Sequence, residues 1–107
     1  MNLDQDRVPA SLDEALILLA SALTKQEKEA WSSMTAARMF DLQARLAQIL
    51  RSDWSLQDSN TPLRVYFRAL GLDDPTEVSL LIIDAFWRKH NNEPIPVEEL
   101  VREYLEE

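Results

Sequence analysis

Apolar residues recur three and four positions apart along this chain, and no stretch alternates apolar with polar side chains. The first series is Leu12, Ala15, Leu16, Leu19, Ala20 and Leu23, one face of a helix. Ser11-Leu-Asp-Glu14 opens it as a capping box, in which hydroxyl and carboxylate satisfy amide donors that a helix start leaves unpaired. Thr24-Lys-Gln-Glu27 repeats the device and predicts a short second helix carrying Glu27, Trp31 and Met34 on successive turns. Thr35 can cap a third helix, with Met39, Leu42, Leu46, Ile49 and Leu50 facing inward. Its outer face sets Asp41 beside Arg38 and Arg45.

The period lapses between Ser52 and Asn60, which reads as a loop. Thr61 then caps a helix, Pro62 takes its first position, and Leu63, Tyr66, Phe67 and Leu70 form the stripe. Gly71, the one glycine of the chain, stands where a helix end favours a left-handed residue. Asp74-Pro75-Thr-Glu77 is a third capping box, followed by Val78, Leu81, Ile82, Ala85 and Phe86 at helical spacing. Beyond Pro94 and Pro96, the series Val97, Leu100, Val101, Tyr104 and Leu105 predicts a final helix. The principal helices are expected near residues 11–23, 35–51, 62–70 and 75–90. The fold class is all-α: a compact bundle of about six short helices with an orthogonal corner at Gly71. At 107 residues this is one domain, with residues 1–10 as an N-terminal arm.

The helix after Asp74 is apolar nearly all round, because Leu80, Ile83 and Trp87 lie off its main stripe. Such a helix is either central or covered by a partner. Ile17 and Leu18 give the first helix the same character. A homodimer contact or a hetero-partner surface at these helices therefore stands beside the self-contained monomer.

Charge narrows the partners. The net charge is −8, and it is uneven: residues 1–53 carry 8 acidic and 6 basic side chains, residues 54–107 carry 11 and 5. Such a surface repels nucleic acid and anionic lipid and attracts a basic protein. The helix–turn–helix at Gly71 is no DNA reader, since its second helix offers Asp74, Glu77 and Asp84 where base contacts want Arg, Lys, Asn or Gln. The run at 15–23 is too short to span a bilayer, and the acids ahead of it do not suit a secretory leader, so a cytoplasmic protein is expected.

Chemistry is sparse. Without cysteine there is no disulfide, thiolate nucleophile or cysteine-based metal site. His90 is the single histidine, at a helix C-terminus that favours an imidazolium and needs no catalytic role to explain it. Asp73, Asp74 and Glu77 offer oxygen ligands, but the capping box accounts for two of them. No catalytic residue, metal site or cofactor is assigned. Two features remain as candidate partner contacts. Trp54 and Leu56 lie in the loop, either pinning it to the core or serving as an aromatic anchor. Glu103, Glu106 and Glu107 crowd a helix C-terminus, where negative charge is unfavourable, and Glu99, Glu103 and Glu106 are the candidate contacts of this acidic run. With Leu80, Ile83 and Trp87 they complete the candidate set.

The segments LRSDWSL and PLRVYFRALGLDDPTEVSLLIIDAFWRKHNNEPI, with the opening VPASLDEAL, resemble an uncharacterised bacterial domain family. The resemblance rests on Arg51, Trp54, Leu56, Leu63, Tyr66, Phe67, Gly71, Pro75, Arg88, Asn91 and Ile95. Where the family carries a loop glycine this chain has Ser55, and where the family carries Asn-Gly it has Asn91-Asn92. The family's third helix carries a histidine and glycines in place of LQARLAQIL. The resemblance implies a fold unit and no activity. The leading expectation is a small acidic protein-interaction domain, in its most concrete form an inhibitor or immunity-type protein masking a basic partner. An enzyme with a pocket near the Trp54 loop, or an accessory or self-assembling subunit, is the alternative.

Overall fold

Helix starts in the computed structural model, which describes residues 8–32 and 36–106, follow the capping residues read from the sequence. The six helices of the described residues are α1 (Leu12–Ala22), α2 (Lys25–Ser32), α3 (Ala36–Asp53), α4 (Pro62–Ala69), α5 (Pro75–His90) and α6 (Val97–Leu105). No strand occurs among the described residues. Thr24 and Glu27 form the full reciprocal box: the Glu27 N–H donates to Thr24 Oγ1 at 3.1 Å and the Thr24 N–H to Glu27 Oε1 at 3.0 Å. At α1 the box is shifted. Ser11 Oγ accepts from the Glu14 N–H, but the Glu14 carboxylate reaches past Ser11 to the Ala10 N–H at 2.9 Å. Asp74 caps α5 by accepting from the Glu77 N–H at 3.0 Å. Thr61 departs from expectation: its side chain makes no cap and instead donates to the Asp58 carbonyl at 3.0 Å. The Thr35 cap and Met34 lie outside the described residues.

Helix ends share one device. The Leu72 N–H donates to the Phe67 carbonyl and the Gly71 N–H to the Arg68 carbonyl, with Gly71 at φ +100°. This is the Schellman motif, which pairs the last carbonyls of a helix by passing through one left-handed residue. The end of α3 repeats it, with Leu56 donating to Arg51, Ser55 to Ser52, and Ser55 at φ 51°. The end of α5 does so again, with Glu93 donating to Arg88, Asn92 to Lys89, and Asn92 at φ 58°. At Ser55 and Asn92 a residue other than glycine takes the left-handed position. The backbone conformation they adopt is the one glycine accepts without strain.

α5 is the hub, packed against α1, α3, α4 and α6. Its all-round apolar character is explained by that position. Ile83, off the main stripe, is buried with Val78, Leu81, Ile82, Ala85 and Phe86. The core continues through Leu16 and Leu19 of α1, Leu46 and Leu50 of α3, Phe67 of α4 and Leu100 of α6. The radius of gyration, 13.1 Å, is what a compact domain of about 100 residues has. Ile49 does not face inward as expected: it is 39% exposed, while Ala47 on the same helix is buried. The inward stripe of α3 thus runs through Leu46, Ala47 and Leu50 rather than Ile49. In the N-terminal arm, Pro9 is buried while Val8 and Ala10 are exposed; residues 1–7 lie outside the described residues.

Candidate functional site

The loop between α3 and α4 is built inward. The Schellman turn at Ser55 drives Trp54 and Leu56 into the core, where both are 0% exposed. Arg64, one residue inside the first turn of α4, then closes the loop from below. Its side chain is 6% exposed; Nη1 donates to the Leu56 carbonyl at 2.6 Å and Nη2 to Asp73 Oδ1 at 2.9 Å. Arg68, one turn on, donates to the Ser59 carbonyl at 2.6 Å and approaches the same Asp73 oxygen at 3.3 Å. Two arginines of α4 therefore tie the Trp54 loop to the Gly71 corner through one carboxylate. The hydrogen bond from Arg64, supplemented by Arg68, holds the Asp73 carboxyl below its ordinary pKa. Two buried donors, Trp54 Nε1 and Arg64 Nε, find no acceptor among the described residues. Each costs about 1–3 kcal/mol in desolvation, which the packing of the indole and the charged bonds of the guanidinium outweigh.

Three of the candidate partner contacts are corrected by this packing. Trp54 and Leu56 belong to the core, and so does Ile83. An indole with no exposed surface is neither an anchor for a partner nor the wall of an open pocket. Leu80 and Trp87 are half-buried on α5. Leu80 joins Gln43, Ala47 and Arg51 of α3 along a groove of 220 Å³, with Arg51 donating to Ser79 Oγ at 3.1 Å. The Trp87 ring lies 5.9 Å from the His90 ring in a tilted contact, which gives the single histidine a packing role. Asp73 and Asp74, read as possible cation ligands, are engaged by arginines and by the α5 cap respectively. Among the described residues no cluster of acids and histidines is arranged to hold a metal ion.

The glutamates stand apart from the other candidates. On α6, Val97, Leu100, Val101 and Tyr104 turn toward the bundle, and Glu98, Glu99, Glu103 and Glu106 are exposed. Glu99, Glu103 and Glu106 follow at i, i+4 and i+7, one row along the helix. No cation of the described residues pairs with them. Sequence reasoning missed the groove beside this row, lined by Ala69 of α4, its C-cap Leu70, and Glu98, Val101, Arg102 and Leu105 of α6. Its volume is 350 Å³. Leu105, expected in the inward stripe, is 54% exposed in its wall. Leu105 Cδ1 would lie 3.5 Å from a Cβ at Gly71, so the groove ends at the glycine corner.

Comparison with known proteins bears on this geometry at one point. Residues 8–90 match the family described as Domain of unknown function (DUF6794). The chain belongs to that family. No curated protein and no solved structure matches the chain. The DUF6794 match takes in the Trp54 loop, the Arg64 clamp and the Gly71 corner, whereas α6 lies beyond its last residue. Among the described residues no helix is long and apolar enough to cross a membrane.

Proposed function

We propose that this DUF6794 chain is a small acidic protein-interaction module whose α6 meets a basic surface on another protein. Its most concrete form is an inhibitor or immunity-type protein that masks such a surface. The observation that carries the reading is the row Glu99, Glu103 and Glu106. Like charges at i, i+4 oppose a helix by about 0.2–0.5 kcal/mol, and carboxylates at its C-terminus oppose the dipole by a similar amount. Arg102, the one cation on α6, forms no ion pair with the row, so the row gains most when a partner supplies the cations. With a net charge of −8, the same field steers a basic partner into encounter. No catalytic step is assigned to the module.

Affinity capture in the native host tests this with the wild-type chain and the triple variant Glu99→Lys, Glu103→Lys, Glu106→Lys. A partner of basic surface, retained by wild type, released by salt and lost by the folded triple variant, is the expected result. A partner held equally by both chains, or one insensitive to salt, contradicts the reading.

A further inference from the structure

The acidic face of α6 adjoins the apolar groove that it forms with α4. Val101 and Leu105 come from α6, Ala69 from the last turn of α4 and Leu70 from its C-cap. Val65, one turn before Ala69 on α4, is 49% exposed. This apolar strip is rimmed by charge of mostly one sign. Glu98 stands in the groove wall, and Glu106 and Glu99 come next round the helix. Of the nearby cations, Arg68 is drawn to Asp73 at 3.3 Å, and Arg102 in the groove wall is outnumbered by Glu98, Glu99 and Glu106, each three or four residues away on the chain.

We infer that the α4/α6 groove seats an amphipathic basic helix, its apolar face against Ala69, Leu70 and Leu105 and its flanking Lys or Arg side chains against Glu98, Glu99 and Glu106. This rests on the proposed function and specifies the element of the partner that is bound. Three features of the groove select that occupant. The volume of 350 Å³ is at the small end for a ligand pocket, and the groove is open along one side, so it suits side chains presented in a row rather than an enclosed small molecule. Two helices form its walls, the arrangement in which a third helix lays apolar residues at i, i+3, i+4 and i+7. The acidic rim selects a basic flank over a neutral or acidic one. A second copy of this chain fits poorly, because each copy carries −8 and the most basic amphipathic helix of the described residues, α4, itself walls the groove, with Arg64 buried and Arg68 drawn to Asp73.

The test uses two fluorescein-labelled peptides of identical leucine and lysine content. One places leucine at i, i+3, i+4 and i+7; the other spreads the same leucines round the helix. Fluorescence anisotropy at physiological salt is read for the wild-type chain and for Ala69→Trp, Ile17→Ser and the Glu99/Glu103/Glu106→Lys triple. Ala69 is exposed, so an indole there fills the groove without entering the core. Ile17 is an exposed apolar residue of α1, outside the groove lining, and controls for general stickiness. The patterned peptide is expected to bind about tenfold or more tighter than the scrambled one, to lose about tenfold in Ala69→Trp and to be unaffected by Ile17→Ser. Circular dichroism of each variant confirms that the helical fold is kept. Equal binding of both peptides, lost only in the glutamate triple, would overturn the groove while leaving the acidic docking reading intact. Binding of neither peptide, with the fold kept, would remove the groove proposal. Loss of native-host capture, by contrast, bears on the docking reading itself. If Ala69→Trp changes the sedimentation mass of the chain alone but not peptide binding, the groove belongs to a second copy and the proposal falls.

Discussion

The Trp54 loop and the C-terminal helix carry the same kinds of residue to opposite ends. Each follows a helix that ends in a Schellman turn, at Ser55 for α3 and at Asn92 for α5. At Ser55 the turn points the next side chains inward, and Arg64 seals the segment with two hydrogen bonds. After Asn92 the chain runs through Pro94 and Pro96 to α6, which buries Leu100 and Val101 but leaves its glutamates in solvent. The difference teaches that an aromatic in a loop and an acid row on a helix are not equivalent pointers to a partner. A tryptophan can be consumed by its own core. A carboxylate row that forms no ion pair within the described residues has no such use.

The largest effect that would break this contrast is at Trp54. Trp54→Ala should lose about 3–5 kcal/mol in urea unfolding, the range for deleting a large buried aromatic. A loss below about 1 kcal/mol would place the indole outside the cooperative core. Arg64→Met should follow, with a loss of about 2 kcal/mol, since it removes charge-assisted hydrogen bonds and leaves the buried Leu56 carbonyl without this donor. The acid limb of stability sharpens the same point. Asp73 has a depressed pKa when folded, so its contribution is complete above the carboxyl's unfolded pKa and is lost as pH falls through the folded value. Asp73→Asn should flatten that part of the stability–pH curve, and an unchanged curve would deny the bridge.

Smaller effects test the helix ends. Gly71→Ala should cost about 1 kcal/mol, because the contact at Leu105 is ordinary and the strain lies in the left-handed backbone. Ser55→Gly should move the other way, by up to about 1 kcal/mol, and Asn92→Gly by less, since Asn tolerates that region better than Ser. Denaturation midpoints that fail to separate in sign would contradict the shared motif. Least of all, the Glu99/Glu103/Glu106→Lys triple should change stability by about 0.5 kcal/mol or less, because the dipole opposes lysine at Glu99 in the first turn and favours it at Glu103 and Glu106.

Much of the helical framework was legible because local rules and packing agree. Ser11, Thr24 and Asp74 sit at starts that their own side chains help to satisfy, and Gly71 ends a helix only as a left-handed residue can. The left-handed positions at Ser55 and Asn92 were not legible, because serine gives no signal of such a backbone and asparagine, though it tolerates one, takes other conformations as readily. Thr61 and Ile49 were misread where a neighbour decided: Asp58 takes the hydroxyl of one, and α5 packs on the adjacent face of the other's helix. Arg64 was overlooked because an arginine beside an apolar stripe reads as a solvated flank. Its burial depends on Leu56 and Asp73, eight and nine residues away along the chain. The groove was illegible for a similar reason. It exists only where α6 comes to rest beside α4, and periodicity places helices without saying which will touch.

Amide hydrogen exchange of the isolated chain measures the contrast between the two regions most directly. The Trp54 and Leu56 N–H groups, bonded to the Leu50 and Arg51 carbonyls, should exchange only through unfolding close to global, as core amides do. The last turn of α6, including the Glu106 N–H bonded to the Arg102 carbonyl, should exchange orders of magnitude faster through local fraying. Loop amides that exchange as fast as those of the α6 end would contradict the assignment of Trp54 to the scaffold and of α6 to the accessible surface.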